Sequence, residues 1–338
     1  MRKMSSMKSF TVAVAGATGL VGRSILRVLE ERNFPVGALR LLASRRSAGK
    51  VIAFGGRDVR VEELNRSSFE GVEIALFSAG ASVSKDFVPA AVRAGAVVID
   101  NSSAFRLDDG IPLIVPEVNP ERIPDHKGII ANPNCSTIQM VVALKPLHDR
   151  WKVARIVVAT YQAVTGAGHK AVRQLEGELQ NKHGVEKKFP HPIAGNVLPQ
   201  IDIFFDDGYS REEHKMEAET KKILGDANVR VTATCARVPV LGGHSEAVNV
   251  EFERPFSVEE VRETLRTAPG VCLQDDFGKS IYPMPIWAQG KDDVFVGRLR
   301  RDETVANGLN LWIVSDNLRK GAATNAVQIA ERLVALKN

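Results

Sequence analysis

A glycine-rich turn between a short apolar strand and a helix is the feature that most constrains how this chain folds. We predict a strand at Phe10–Ala15, the turn GATGLVG directly after it, and a helix from Leu20 to about Arg32. The same order recurs downstream, with strands predicted in GALRLLAS, VEIALFSAG and AVVID and a helix at Ser84–Ala94. Strand–helix alternation is typical of a parallel, doubly wound sheet. The predicted fold class is therefore α/β, with a Rossmann-type first domain.

A different pattern begins after residue 134. Longer strands are predicted in ARIVVATYQAV, VRVTATCARVPV and EAVNVEFE, with helices near His169–Gln180 and Glu212–Leu224. This mixture indicates a second, α+β domain with a mixed or antiparallel sheet. The final stretch, NLRKGAATNAVQIAERLVAL, predicts an amphipathic helix. At 338 residues the chain is long for one core, which agrees with two domains.

The glycine turn predicts nucleotide binding. Gly16, Gly19 and Gly22 form the pattern G-x-x-G-x-x-G between a strand and a helix. Glycines allow a tight turn and let the backbone approach a pyrophosphate, while the helix N-terminus supplies unpaired N–H groups. The alternative is an ordinary strand–helix turn, but the context favours a dinucleotide site.

The end of the second strand predicts which dinucleotide binds. An NAD enzyme usually carries an acid there, on the ribose hydroxyls. This chain instead has Ser44, Arg45, Arg46 and Ser47, which offer donors and positive charge to a 2′-phosphate. We therefore expect NADP, with a solvated basic loop as the alternative. A short-chain reductase can also begin with GATG, but it needs a Tyr with a Lys four residues later, and no tyrosine here has one.

Composition narrows the class of partner. The net charge is +5, but Lys and Arg are scattered, which favours small anionic ligands over nucleic acid. Three cysteines are too few for a disulfide framework, and no apolar run reaches the roughly 18 residues of a membrane span. The basic start, MRKMSSMKSF, lacks the apolar segment of a signal peptide. We expect a cytoplasmic protein with no membrane or nucleic-acid partner and no metal. Met1, Met4 and Met7 all remain open as the start codon.

The segment ANPNCSTIQ places Cys135 where a helix begins. Ser136 and Thr137 are predicted to cap that helix. A thiol at a helix N-terminus is favoured as the thiolate, which can form a covalent intermediate beside a nicotinamide. The alternative is an inert buried residue, which is the interpretation that suits Cys235 and Cys272.

Candidate partners for the thiol lie in the second domain. VPVLGGHSEAV places His244 in a glycine loop between strands, where it could serve as a base. Arg237 lies on one strand face, in phase with Val231, Ala233 and Cys235. A buried guanidinium there needs an anionic partner, either a substrate carboxylate or a buried Asp or Glu. Glu212 and Lys215 stand three residues apart on a helix, and their simplest interpretation is a surface ion pair.

Seven segments together resemble the aspartate-semialdehyde dehydrogenase family: GATGLVG, SAG, DNSSAFR, ANPNCSTIQ, EEHK, RVPVLGGHSE and DNLRKGAATNAVQIA. The resemblance extends from about Phe10 to the C-terminal helix, and the cysteine segment and the Arg–His pair are its most specific parts. It implies an NADP-binding domain at residues 1–134 and 317–338, a catalytic and dimerisation domain at 135–316, and a homodimer.

The resemblance also implies roles for individual residues. Cys135 would be the nucleophile, His244 the acid/base residue, and Gln162 would orient the substrate near the thiol. Arg237 would bind the substrate α-carboxylate and Glu212 its amino group. The residues implied in phosphate binding are Arg106, Asn134 and Lys215. The implied NADP contacts are Gly16, Ala17, Thr18, Gly19, Leu20, Val21, Gly22, Ser44, Arg46, Ser47, Ser78, Ala79, Gly80, Gly166 and Asn317. Thr165 stands where many members have Ser, a change that keeps the hydroxyl.

The implied reaction is the reversible, NADPH-dependent reductive dephosphorylation of L-4-aspartyl phosphate to L-aspartate 4-semialdehyde, through a Cys135 thioester. It belongs to the biosynthesis of lysine, threonine, methionine and isoleucine. One alternative is a related reductase acting on N-acetylglutamyl phosphate or glyceraldehyde phosphate. Against the first of these, NPNCST differs from the NPGCY pattern, and Glu212 would have no free amino group to bind. A non-catalytic NADP-binding protein is the second alternative, which the Cys135–His244 set disfavours.

Overall fold

In the computed structural model, which describes residues 8–336, the chain divides into two compact units. The first contains the chain up to Ile114, Pro120–Asn132 and the segment from Ala323 onward. The second contains Val115–Asn119 and Pro133–Ala322. The units divide the chain a few residues away from the predicted domain boundaries, and Val115–Asn119 joins the second unit. The alternative starts Met1, Met4 and Met7 lie outside the described residues.

Regular structure covers most of both units. The strands of the described chain are β1 (Phe10–Ala15), β2 (Val36–Ala43), β3 (Val51–Phe54), β4 (Arg57–Glu63), β5 (Ile74–Phe77), β6 (Val97–Asp100), β7 (Ile129–Ala131), β8 (Val153–Gln162), β9 (Arg230–Arg237), β10 (His244–Phe252), β11 (Val271–Leu273), β12 (Val294–Asp302) and β13 (Gly308–Ser315). Its α-helices are α1 (Leu20–Glu31), α2 (Ala81–Arg93), α3 (Cys135–Trp151), α4 (His169–Leu179), α5 (Arg211–Leu224), α6 (Val258–Arg266), α7 (Pro285–Ala288) and α8 (Thr324–Ala335).

The first unit is the doubly wound sheet that the sequence predicts. Its strand order is β3-β4-β2-β1-β5-β6-β7, and all pairs are parallel except the β3–β4 hairpin, which was not predicted. Successive residues of β1 face opposite sides. Val12 and Val14 pack with α1 and α8 on one side, while Ala13 and Ala15 pack with α2 on the other. Burial of both faces explains why these strands are continuously apolar.

The second unit is built on a six-stranded mixed sheet, as expected. Its order is β11-β12-β13-β10-β8-β9, with β10 antiparallel to both β8 and β13 and with β8 parallel to β9. The helices α3, α5 and α6 pack against this sheet. Strands β11 to β13 and helices α6 and α7 were not predicted, whereas β8, β9, β10, α4 and α5 are confirmed.

The segment ahead of α8 departs from regular helical geometry. Arg319–Ala323 forms a π-helical turn, and Asp316 precedes it. The Oδ1 of Asp316 accepts hydrogen bonds from the backbone N–H groups of Leu318 and Arg319, at 2.8 and 3.1 Å. This turn belongs to the second unit up to Ala322. Across residues 8–336, no helix combines the length and apolarity that crossing a membrane requires.

Candidate active site

Three predicted site residues meet at one edge of the second sheet. Gln162 ends β8 and Arg237 ends β9 directly beside it, while His244 begins the antiparallel strand β10 at the same edge. All three side chains are buried. Arg237 shares its buried face with Cys235, which confirms the alternation expected for β9. Helix α3, which begins at Cys135, packs against this sheet.

Asn134 fixes the start of α3. Its Oδ1 accepts hydrogen bonds from the backbone N–H groups of Ser136 at 2.9 Å and Thr137 at 3.2 Å, and its Nδ2 donates to Glu212 Oε1 at 2.8 Å. The prediction that Ser136 and Thr137 cap the helix is wrong, because both lie inside the first turn and a cap must precede it. The Ser136 hydroxyl instead accepts a hydrogen bond from Gln162 Nε2 at 2.9 Å.

Glu212 lies buried in a polar cluster rather than on a solvated helix face. Its Oε1 accepts from Gln162 Nε2 at 3.2 Å, and its Oε2 lies 3.2 Å from Lys215 Nζ. Burial by itself raises the pKa of Glu212. The charge of Lys215 and the hydrogen bonds from Asn134 and Gln162 together have a larger effect in the opposite direction, so the pKa of Glu212 lies below its usual value. The interpretation of Glu212 as one member of a surface ion pair is wrong, because its carboxylate is buried inside the second unit. Lys215 also reaches Asp202 Oδ2 at 3.3 Å.

Glu219 is a functional residue that the sequence analysis missed. Its Oε2 accepts a hydrogen bond from the backbone N–H of Asn134 at 2.6 Å. Helix α5 therefore holds both the main chain and the side chain of the residue before Cys135. Glu219 follows Glu212 by seven residues, two turns along one helix face, so helical periodicity was the signal that could have found it.

Arg237 places a buried cation at the end of β9, beside Gln162. Its Nη1 donates to the backbone oxygen of Ala163 at 2.7 Å, and its Nε has no hydrogen-bond partner among the described residues. Burial lowers the pKa of Arg237, opposed by the charges of Glu212 and Cys135. A guanidinium remains charged under such conditions, so Arg237 is suited to receive an anionic ligand.

His244 is a neutral imidazole with a defined tautomer. The backbone N–H of Ala163 donates to its Nδ1 at 3.0 Å, so the ring proton resides on Nε2. Nε2 is buried and has no hydrogen-bond partner among the described residues. Burial, together with the charge of Arg237, holds the pKa of His244 well below its usual value. His244 is the first residue of β10, directly after Gly243, whereas the sequence analysis placed it within the glycine loop between strands.

Gly166 lies against the side chains of both Arg237 and His244. A Cβ built on Gly166 would come 3.0 Å from Arg237 Nη1 and 3.1 Å from His244 Nε2. A side chain at this position would therefore crowd the ends of both Arg237 and His244, whereas glycine leaves them room.

Asn317 joins the two loops that flank the catalytic edge. Its Oδ1 accepts from the backbone N–H of Gly243 at 3.0 Å, and its Nδ2 donates to Thr165 Oγ1 at 3.1 Å. The hydroxyl that Thr165 shares with Ser is thus the group used here. Both residues lie in the second unit.

In the first unit, the glycine turn has the geometry of a phosphate cradle. Gly16 has a φ of +86°, and a Cβ there would come 2.8 Å from the backbone oxygen of Ser78. A Cβ on Gly22 would come 2.2 Å from the backbone oxygen of Gly16, so α1 packs directly on the turn. No side chain caps α1 at Gly19, which is the arrangement that binds a pyrophosphate. The loop residues Ala17, Thr18, Leu20 and Val21 complete this turn.

The other predicted cofactor residues of this unit lie in two loops. The Arg45–Ser47 segment forms a short 3₁₀ helix after Ser44, with Arg46 exposed, and Thr18 Oγ1 donates to Ser47 Oγ at 3.4 Å. The loop of Ser78, Ala79 and Gly80 connects β5 to α2, which also begins without a side-chain cap. Both loops follow parallel strands at their carboxyl ends, where ligands bind in open α/β sheets.

Arg106 is buried within the first unit. Its Nε donates to the backbone oxygen of Asn132 at 2.9 Å and its Nη2 to that of Asn101 at 2.8 Å. The main chain therefore fixes the plane of the guanidinium. Within residues 8–336, no group of three or more His, Cys, Asp or Glu side chains is arranged to hold a metal ion.

The chain is similar to known proteins over nearly its whole length. Residues 11–126 match the semialdehyde dehydrogenase NAD binding domain, and residues 144–320 match the semialdehyde dehydrogenase dimerisation domain. Aspartate-semialdehyde dehydrogenase of Aquifex aeolicus is 57% identical, over 96% of this chain and 98% of its own length. That of Bacillus subtilis is 53% identical, over 96% and 97%.

Solved structures of aspartate-semialdehyde dehydrogenases are also similar to this chain. The crystal structure of aspartate semialdehyde dehydrogenase II from Vibrio cholerae, complexed with ASA, has a TM-score of 0.93 at 50% identity, covering 97% of this chain and 99% of that one. The enzyme from Candida albicans with NADP has a TM-score of 0.77 at 28% identity, covering 96% and 98%. Together with the cysteine, arginine and histidine of the second unit, these likenesses show that the chain belongs to the aspartate-semialdehyde dehydrogenase family.

Proposed function

We propose that this enzyme reduces L-4-aspartyl phosphate to L-aspartate 4-semialdehyde through a thioester on Cys135, with NADPH as the reductant. One observation carries the proposal. Within one compact unit lie a cysteine at a helix N-terminus, a buried Arg237, a buried Glu212 anion and a His244 Nε2 that has no hydrogen-bond partner in the described part of the chain. The relative from Vibrio cholerae complexed with ASA supports the substrate.

The charges of the site suit an amino acid backbone. Arg237 binds the α-carboxylate of the substrate, because its planar guanidinium can form two parallel hydrogen bonds to a carboxylate. Glu212, whose lowered pKa keeps it ionised, binds the α-ammonium group. Gln162, which contacts both Glu212 and Ser136, orients the substrate carbonyl beside the thiol.

The chain's own groups carry the covalent steps. The Cys135 thiolate attacks the acyl carbon, the bond from carbon to the phosphate oxygen breaks, and phosphate leaves with the electron pair, so that a thioester remains. When bound, NADPH supplies the hydride that reduces the thioester carbon. The resulting thiohemiacetal oxyanion then collapses to the aldehyde as its carbon–sulfur bond breaks, and sulfur keeps the electron pair, so that the thiolate is restored.

His244 is the proposed acid/base residue, and it works at Nε2. Because Nδ1 accepts from Ala163, the neutral ring presents Nε2–H to the substrate oxygen as negative charge develops on it. A substrate carboxylate on Arg237 would offset the charge that helps to lower the pKa of His244. Substrate binding therefore brings the imidazole closer to the range where it can exchange a proton.

In the second unit, phosphate binding is assigned to Lys215 and Asn134, and in the first unit Arg106 is the candidate phosphate ligand. Lysine is a mobile point charge suited to phosphate, and the Asn134 amide sits one residue before the thiol. The glycine cradle fits a dinucleotide, and we assign NADP rather than NAD because the exposed Arg46 follows a strand end that lacks an acid. The relative from Candida albicans with NADP supports this choice.

We also propose a cytoplasmic homodimer. The match to a dimerisation domain supports the dimer. In the second unit, the rings of Tyr161 and Trp312 are in contact with centroids 5.5 Å apart and planes tilted by 40°, and Tyr161 is 38% exposed. They alternate with buried Thr160 and Ile313, so they belong to the sheet face opposite α3, where a second copy could cover them.

One assay tests the proposal. The purified enzyme is given aspartate semialdehyde, phosphate and NADP, and reduction of NADP is followed with and without phosphate. We expect phosphate-dependent turnover that exceeds turnover with NAD, with N-acetylglutamate semialdehyde and with glyceraldehyde phosphate. Stoichiometric labelling of Cys135 without turnover on any aldehyde would instead indicate a non-catalytic NADP-binding protein.

A further inference from the structure

Glu246 is a buried carboxyl group that the mechanism above does not use. It lies on β10 two residues after His244, on the same face of the strand, and its side chain is fully buried. Across the sheet it faces Thr160 of β8 and Ile313 of β13. Neither carboxyl oxygen has a hydrogen-bond partner among the described residues. An ionised carboxylate in such a place would be very costly.

Gln139 is the polar neighbour of this carboxyl and connects it to the histidine. It lies one turn into α3, and its Nε2 donates to the backbone oxygen of His244 at 3.4 Å. Its Oε1 is buried and accepts no hydrogen bond from the described residues. The amide therefore has a donor in use and an acceptor that needs a donor.

Hydrogen-bond accounting distinguishes the two protonation states of Glu246. An ionised Glu246 offers only acceptors, so Gln139 Oε1 would still lack a donor even if the second N–H of the Gln139 amide were directed at the carboxylate. A protonated Glu246 has an O–H that can donate to Gln139 Oε1, which leaves Gln139 Nε2 directed at His244. Burial, against the weaker effect of Gln139, raises the pKa of Glu246 well above its usual value.

The charged and titratable groups around Glu246 agree with the neutral form. His244 lies on the same face of β10. Burial raises the pKa of the Cys235 thiol on β9, and the carboxyl groups of Glu212, Glu213 and Glu246 all lie close enough to that thiol to act on its pKa as well. None of the described cations donates a hydrogen bond to Glu246.

We propose that Glu246 is a neutral carboxylic acid that positions the catalytic histidine through Gln139. Because it carries no charge, it does not offset the effect of Arg237 on His244, and the imidazole stays neutral in the free enzyme. The role rests on the proposed function of His244, whereas the protonation of Glu246 does not depend on it.

Infrared spectroscopy of the whole enzyme tests the protonation without any assay. The wild type at neutral pH should show a protonated-carboxyl band that is missing in Glu246→Gln. The matched control is Glu251→Gln on the same strand, at a half-buried carboxyl paired with Arg230 at 3.8 Å, and it should keep the band. A wild-type spectrum identical to that of Glu246→Gln would overturn the proposal.

Kinetics test the positioning role. Glu246→Gln keeps a neutral donor, so it should retain turnover and an unchanged acid limb of the pH–rate profile. Glu246→Leu removes the donor, and we expect kcat to fall about fivefold to tenfold with little change in KM, the size of one hydrogen bond. A shift of the acid limb to lower pH in Glu246→Gln, or a wild-type kcat in a folded Glu246→Leu, would contradict the role. An inactive wild type with the carboxyl band present would count against the proposed function alone.

Discussion

Gly321 lies directly against the reactive cysteine. A Cβ built on Gly321 would come 2.8 Å from Cys135 Cβ and 3.3 Å from Cys135 Cα. Gly321 belongs to the π-helical turn before α8, which Asp316 holds through its side chain. The start of α3 therefore packs on a position where no side chain fits.

Gly321→Ala should reduce turnover sharply. The added methyl group must displace Cys135 or the turn, and overpacking of this kind costs about 1–3 kcal/mol. A thiol displaced by even about 1 Å can lose roughly a hundredfold in rate. Gly278→Ala is the matched control, because the same methyl there meets only an ordinary contact at 3.5 Å. Equal kcat values in the two variants would show that the thiol tolerates the displacement.

Cys135→Ser should leave folding and NADP binding intact while activity falls by several orders of magnitude, because a hydroxyl is a far weaker nucleophile. Burial raises the pKa values of Cys235 and Cys272, so neither is a reactive thiolate, and serine at either position should keep most of the activity. Steady-state rates of the three variants decide, and a near-normal rate in Cys135→Ser would remove this thiol from the mechanism.

The features that the sequence predicted correctly are those that depend on residue spacing within a single element. The turn at Gly16 and the buried face of Arg237 both follow from spacing within one element, of glycines in the first case and of alternating residues in the second. The cap of α3 was misassigned because three residues close together, Asn134, Ser136 and Thr137, are all of types that can cap a helix. Only the packing of Asn134 against Glu212 shows which of them does. The approach of Gly321 to Cys135 depends on tertiary packing between distant segments, so no local pattern records it.

Arg46→Ala should weaken NADPH binding much more than NADH binding. If Arg46 pairs with the 2′-phosphate, it contributes a charged hydrogen bond of about 1.5–3 kcal/mol, or roughly ten- to a hundredfold in affinity. Arg57→Ala, at an exposed site on β4, removes the same charge from the same unit and should affect neither cofactor. Titration of each variant with both cofactors decides. Equal losses for NADPH and NADH would make the segment structural.

Lys215→Ala and Arg237→Lys should separate phosphate binding from carboxylate binding. In the phosphorolytic direction, Lys215→Ala should raise the KM for phosphate more than that for the semialdehyde. Arg237→Lys keeps the charge but loses the planar fork, so it should damage semialdehyde use instead. Each effect should be on the order of 1.5–3 kcal/mol.

The control for this pair is Lys221→Ala, which breaks the Lys221–Glu217 contact of 2.7 Å on the same helix. It should behave like the wild type in both constants. If Lys215→Ala matches this control, Lys215 serves only as the partner of Glu212 and Asp202, and the phosphate assignment is wrong.

Glu246→Gln should change how stability depends on pH. The pKa of Glu246 is raised in the folded protein, so above its ordinary value of about 4.5 the folded state keeps a proton that the unfolded state releases. The free energy of unfolding of the wild type should then fall, relative to Glu246→Gln, by about 1.4 kcal/mol per pH unit until the folded pKa is passed. His244, whose lowered pKa costs stability below its ordinary value, is present in both proteins and cancels. Chemical unfolding at a series of pH values measures the difference, with Glu251→Gln as the control, and a difference that stays constant with pH would mean that Glu246 is ionised in the folded enzyme.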